Sequence, residues 1–119
     1  MKYVMFVCGD PDHTDADEAA APPLEPWFEA ARGVYEQGVR LQSIDDATVV
    51  RVRDGKLLVT DGPFTESKEI IGGWAILNTK TREEAVRIAT EFMELHRKHW
   101  PEFEGESEVR PMFEPRMGP

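Results

Sequence analysis

The sequence predicts an α+β domain, and three observations carry that reading. Short apolar or alternating runs are interleaved with two stretches of helical periodicity. A turn pair, Asp54-Gly55, separates two alternating runs, and the element order is β-α-β, a hairpin, then β-α-β. At 119 residues the chain suits a single domain over 1–119, with a core that needs neither a metal nor a disulfide staple.

Residues 2–8, Lys-Tyr-Val-Met-Phe-Val-Cys, form an almost wholly apolar run closed by Gly9-Asp10-Pro11, the pattern of a central strand buried on both faces. Asp10 to Pro23 is acidic, Ala-rich and ends in prolines; it reads as a surface loop with at most one helical turn over Asp15 to Ala21. A helix is expected from Pro26, whose fixed φ suits the first helical position. Trp27, Ala30, Ala31, Val34 and Tyr35 recur at helical spacing until Gly38 closes it, and Val39 to Ile44 follows as the second strand.

Val50 and Val52 alternate with Arg51 and Arg53, Asp54-Gly55 reverses the chain, and Lys56 to Thr60 returns as the partner strand. Residues 61–69 interrupt all periodicity before Ile70 to Asn78 resumes as an apolar strand, in which Gly72-Gly73 marks a bulge or a close backbone approach. Thr81 and Glu84 form a capping box for the second helix, with Ala85, Ala89, Phe92, Met93 and His96 on one side. The pairs Glu83/Arg87, Arg87/Glu91 and Glu94/Lys98 support its other side, and Pro101 ends it. Glu106 to Phe113 alternates as the last strand, which Pro111 places at a sheet edge or at the end of the ladder.

This order is that of a ferredoxin-like split βαβ domain with an inserted β-hairpin: an antiparallel sheet carrying both helices on one face. Apolar residues on both faces of the first strand and of Ile70 to Leu77 leave the second face needing a cover. A second copy of the same sheet supplies it, so a homodimer is expected.

Charge distinguishes the ends from the middle. With 14 Lys+Arg against 23 Asp+Glu the chain carries −9. Residues 1–31 hold seven acids against Lys2 (−6), residues 101–119 hold five against Arg110 and Arg116 (−3), and residues 32–100 hold eleven of each. The two acidic segments flank the first and last strands, which share a sheet, so they are expected near each other. No phosphate-neutralising cluster of cations is present, which argues against nucleic acid and anionic membrane as partners. The lone Cys8, the lack of a basic and then apolar N-terminal stretch, and the lack of any window of membrane-span length give a cytoplasmic expectation.

No cofactor and no metal are expected. Asp10, Asp12, His13, Asp15 and Asp17 lack the mid-loop Gly and terminal Glu of a calcium loop and read as a solvated acidic loop. His96 and His99, beside Arg97 and Lys98, complement the C-terminus of their helix, and Cys8 reads as a packed, inert thiol.

The loop Asp61-Gly62-Pro63-Phe64-Thr65-Glu66-Ser67-Lys68-Glu69 resembles the signature of the YCII-related, or DGPF-domain, family. Lys2 to Asp10, Val50 to Gly55 leading into Val59 to Phe64, Gly72-Gly73-Trp74 and Glu108 to Pro111 are also similar to family text, so the resemblance covers essentially the whole chain. It implies a dimeric α+β barrel and a family whose members mostly lack an assigned activity. Some members are encoded beside extracytoplasmic-type sigma factors, and distant relatives include an enzyme-like branch handling chlorinated aromatic compounds. A His-Asp pair proposed for distant members puts the His at the start of the first helix, near Trp27 here; no His stands there, so that acid–base chemistry does not carry over.

The same loop has a physical reading. Gly62 accommodates the extended backbone that Pro63 imposes, the Asp61 carboxylate can accept local N–H bonds, and Phe64 can anchor the turn. In the functional reading the loop borders a cleft between sheet and helices. Asp61 is then an acid/base or hydrogen-bond acceptor, Lys68 holds an anionic group, and Phe64 and Trp74 wall an apolar or aromatic small molecule. Asp61 and Lys68 are thus the candidate catalytic residues; Phe64 and Trp74 are the candidate binding residues. No matched acid–base partner accompanies them, so the reading covers binding with or without turnover. The alternative is a non-catalytic dimeric module for protein interaction or regulation, linked to sigma-factor control, in which the loop only fixes the fold.

Overall fold

The computed structural model describes residues 1–9, 22–42, 46–62, 70–101 and 103–113. Its elements are β1 (Lys2–Gly9), α1 (Glu25–Ala30), β2 (Tyr35–Arg40), β3 (Thr48–Arg53), β4 (Lys56–Asp61), β5 (Ile70–Asn78), α2 (Arg82–His99) and β6 (Gly105–Pro111). An antiparallel sheet runs β2-β5-β1-β6, and β3 pairs with β4 apart from it. The fold is α+β, with β1 central and the Pro111 strand at an edge as its sequence requires.

The pleat sorts the side chains of β1 and β5. Tyr3 stands opposite Leu77 and Met5 opposite Ala75, and all four are buried. Trp27 and Ala31 pack on this face from the α1 side, as do Ala85, Ile88, Ala89 and Phe92 from α2. Trp27 joins the layers: its Nε1 donates to the Ile88 carbonyl at 2.9 Å, and the rings of Phe28, Tyr35 and Phe92 meet it edge-on at 5.2, 5.9 and 5.3 Å.

Helix α2 begins as its capping box dictates, with the Thr81 hydroxyl accepting from the Glu84 N–H at 3.1 Å. Arg87 pairs with Glu91 at 3.1 Å, while Glu94 is held by Arg97 at 2.6 Å where the spacing suggested Lys98. The expected bulge is present: Val7 pairs with Gly73 and Cys8 with Ile71, leaving Gly72 as the extra residue of β5.

The first helix differs from its sequence pattern. It stops at Ala30 instead of running to Gly38, because the chain turns over residues 31–34 with Gly33 at φ 84°. Tyr35 and Gly38 therefore belong to β2, which the pattern had started at Val39. Tyr35 still reaches the core, now from a strand. The last strand is likewise shifted, to Gly105–Pro111.

His96 closes the buried face of α2. Its Nδ1–H donates to the Phe92 carbonyl at 2.9 Å, and the ring lies between Phe92 and Phe103, with centroids at 4.5 and 5.0 Å. Burial holds its pKa below the usual 6.5, and the positive charge of Arg40 adds to that. Below 6.5 the unfolded chain therefore takes up a proton that the folded His96 refuses. The stability present above 6.5 is lost as pH falls through the lower folded value. Urea midpoints at about pH 7.5 and about pH 5 should differ accordingly, and His96→Gln should shrink the difference. An unchanged difference in the variant would exclude His96 as its source.

Candidate functional site

The space between sheet and helices, where the signature loop suggested a cleft, is occupied by Tyr3, Met5, Leu77 and Ile88. The free surface is the opposite face of the sheet. With Ala75 and Leu77 turned into the core, the period of two sends Trp74 and Ile76 to the other side. There Phe6 stands opposite Trp74, Val4 opposite Ile76, and Val39 of β2 opposite Trp74 from the other flank. Phe6 and Trp74 are half-buried, and the guanidinium of Arg110 lies 5.7 Å from the centre of the Phe6 ring while pairing with Glu108.

A polar corner closes one end of this face. Glu36 pairs with Lys2 at 2.9 Å and accepts from the Asn78 amide at 3.0 Å. The hydrogen bonds from Lys2 and then Asn78 hold the Glu36 carboxyl below the usual carboxylate range.

The other end gathers the long connections. Gly9 pairs with both Ile70 and Gly105, and Arg40 pairs with Gly73. At this end the chain leaves β1 for the acidic segment 10–24, leaves β2 for the hairpin, enters β5 from the signature loop and enters β6 from the second acidic stretch. Gly9 pairs with Gly105, while the acidic residues 10–21 between β1 and α1 lie outside the described residues.

Of the four candidate residues, Asp61 and Trp74 are described. Asp61 ends β4 and is exposed; its Oδ1 accepts from the Thr48 hydroxyl at 2.7 Å across the open end of the hairpin, and Gly62 N–H donates to the Ala47 carbonyl at 2.9 Å. Trp74 lies on the open sheet face, on a different sheet from Asp61. Phe64 and Lys68 lie outside the described residues, as do Asp10, Asp12, His13, Asp15 and Asp17. The face adds Phe6, Val39 and Ile76 to the candidates; the apolar run of residues 2–8 marks Phe6 as lying on one of two apolar faces, and only strand pairing brings Val39 and Ile76 to it.

A shallow groove bordered by Glu25, Phe28, Glu29, Arg32 and Tyr35 belongs to the helix layer, not to this face. Its charged rim is a surface ion pair, Arg32 with Glu29 at 3.3 Å. Among the described residues no three His, Cys, Asp or Glu side chains are grouped to hold a metal, and no helix is long and apolar enough to cross a membrane.

Fold and face together define a class: an α+β domain whose antiparallel sheet is covered by helices on one side and open, apolar and aromatic on the other. The family model described as YCII-related domain matches residues 1–94, and the chain belongs to that family. Comparison with curated proteins returned no match.

Proposed function

We propose that this chain binds a small molecule on the open face of its sheet, beside the Asp61–Glu69 loop, and that it does so as a homodimer. The observation that carries the reading is the opposed pair Phe6 and Trp74, half-exposed at the centre of a face that also carries Val4, Val39 and Ile76, with Arg110 and Glu108 along its β6 side. An apolar face left in water is stabilised by a cover, and two copies of a sheet of ferredoxin-like order cover each other as a dimeric α+β barrel. Interdigitated side chains fill the gap between sheets packed at the usual spacing of about 10 Å, so a flat apolar or aromatic ligand against Trp74 and Phe6 requires the two sheets to stand further apart there.

The signature loop brings polar chemistry to one end of that space. Asp61 acts as hydrogen-bond acceptor or acid/base, Lys68 holds an anionic substituent, and Phe64 adds a wall. The net charge of −9 disfavours a strongly anionic ligand, so the class is a neutral or singly charged aromatic.

Titration of the labelled protein with phenol, benzoate and benzylamine, followed by NMR, tests this. Binding by at least one probe should shift the Trp74 indole resonance, and Asp61→Asn should keep the fold and weaken that binding at least about tenfold. Shifts confined to the helix layer, or undiminished binding by Asp61→Asn, would reject the assignment.

The hydrogen bond between Asp61 and Thr48 favours a second reading, a non-catalytic dimeric module in which Asp61 only closes the hairpin. In that case Thr48→Ala and Asp61→Asn lower stability alike and no probe binds.

A further inference from the structure

We propose that the β3–β4 hairpin is an arm whose apolar face docks on a second copy of this chain. The inference rests on the homodimer reading above and adds the element that clasps the partner. Val50 stands opposite Val59 and Val52 opposite Leu57, so these side chains share one face of the hairpin, and each is 63–74% exposed. The other face carries Arg51, Arg53, Lys56 and Leu58.

The turn itself is sharply specified, with Asp54 at φ 52° and Gly55 at φ 75°. Yet among the described residues β3 and β4 pair only with each other, and a two-stranded hairpin with a bare apolar face is at best marginally stable by itself in water. The hairpin forms a sheet separate from the four-stranded one, and the molecule as a whole is extended: its radius of gyration is 16.5 Å, against about 13.5 Å for a compact chain of this length.

Area and charge both point to a second copy as the occupant. Four aliphatic side chains at this exposure offer roughly 400 Å², about half of the ~800 Å² each partner gives to a stable interface. The open sheet face, with Phe6, Val39, Ile71 and Trp74, supplies the remainder, and Val39, Leu41 and Ile71, 45–47% exposed, stand at the end of the sheet from which the hairpin departs. Residues 48–61 hold three cations and two carboxylates (+1), which leaves −9 − 1 = −10 for the rest of the chain. The arm is thus a part of an acidic chain that a second copy meets without repulsion, and the net charge of −9 disfavours an anionic polymer as its partner.

Sedimentation velocity over a concentration series, with circular dichroism as a fold control, tests the arm. The unmodified chain should be a dimer at micromolar concentration, and the double substitution Val52→Lys/Leu57→Lys should raise its dissociation constant roughly a hundredfold. Both positions are exposed within one chain, so the variant subunit should keep its circular dichroism spectrum. Arg51→Ser/Arg53→Ser, on the opposite face, should raise the constant by less than about tenfold. A dimer indifferent to Val52→Lys/Leu57→Lys would overturn the arm while leaving the homodimer standing. A monomer from the unmodified chain would overturn both.

Discussion

Trp27→Ala is expected to lower stability by about 3–5 kcal/mol. The indole is buried against three aromatic rings and hydrogen-bonded to the Ile88 carbonyl of α2. That carbonyl already serves the helical ladder, so the loss comes mainly from the cavity and from uncoupling α1 from α2. Trp27→Phe should recover part of it by keeping the ring contacts. Urea denaturation gives the measure, and a loss under about 1 kcal/mol would mean that α1 is held in place by something else.

The second large effect is expected at a pair of glycines. A Cβ on Gly38 would come within 2.7 Å of the Trp74 carbonyl oxygen and 3.2 Å of the Ala75 Cα, and one on Gly73 within 2.7 Å of the Val39 carbonyl oxygen. These neighbours are backbone atoms of the β2–β5 ladder, which cannot move without breaking register. Gly38→Ala and Gly73→Ala should each cost about 2–3 kcal/mol. Gly72 offers an internal control, since its Cβ would meet nothing nearer than the Val7 carbonyl oxygen at 3.8 Å. Equal melting points for Gly72→Ala and Gly73→Ala would refute the close-approach argument. Because β2 carries Val39 and β5 carries Trp74, the same substitution would also distort the open face.

Elements with local chemical signals were legible in the sequence. The Thr81 cap of α2, the Asp54-Gly55 turn and the irregularity at Gly72-Gly73 each need only a few neighbouring residues to specify their geometry: Thr81 accepts from the Glu84 N–H, Asp54 and Gly55 take positive φ, and Gly72 is the bulged residue. The α1–β2 boundary was not legible, because Val34 and Tyr35 satisfy a helical and an extended period alike. What separates the two is the left-handed turn at Gly33, and nothing in sequence distinguishes that glycine from Gly38.

The candidate site divides in the same way. That both faces of β1 are apolar was plain; which face the helices would take was not, since Tyr3, Met5 and Val7 are no more apolar than Val4, Phe6 and Cys8. Trp74 was therefore singled out as a wall but assigned to the wrong side of the sheet. Phe6, its cross-strand partner, lies about seventy residues away in the chain, and only pairing of the two strands reveals the contact.

The clustering of long connections at one end of the sheet bears on how such a domain can diversify. At the opposite end the chain is stitched by short links: Asn78 N–H donates to Val34, Thr79 N–H to Met1 and Met112 N–H to Lys2, at 2.8, 3.0 and 2.8 Å. An insertion there would break a ladder, whereas one near Gly9, Leu41 or Gly105 would lengthen a surface segment without disturbing strand register. Loop length can therefore change at one pole of the sheet while the ladder at the other pole stays intact.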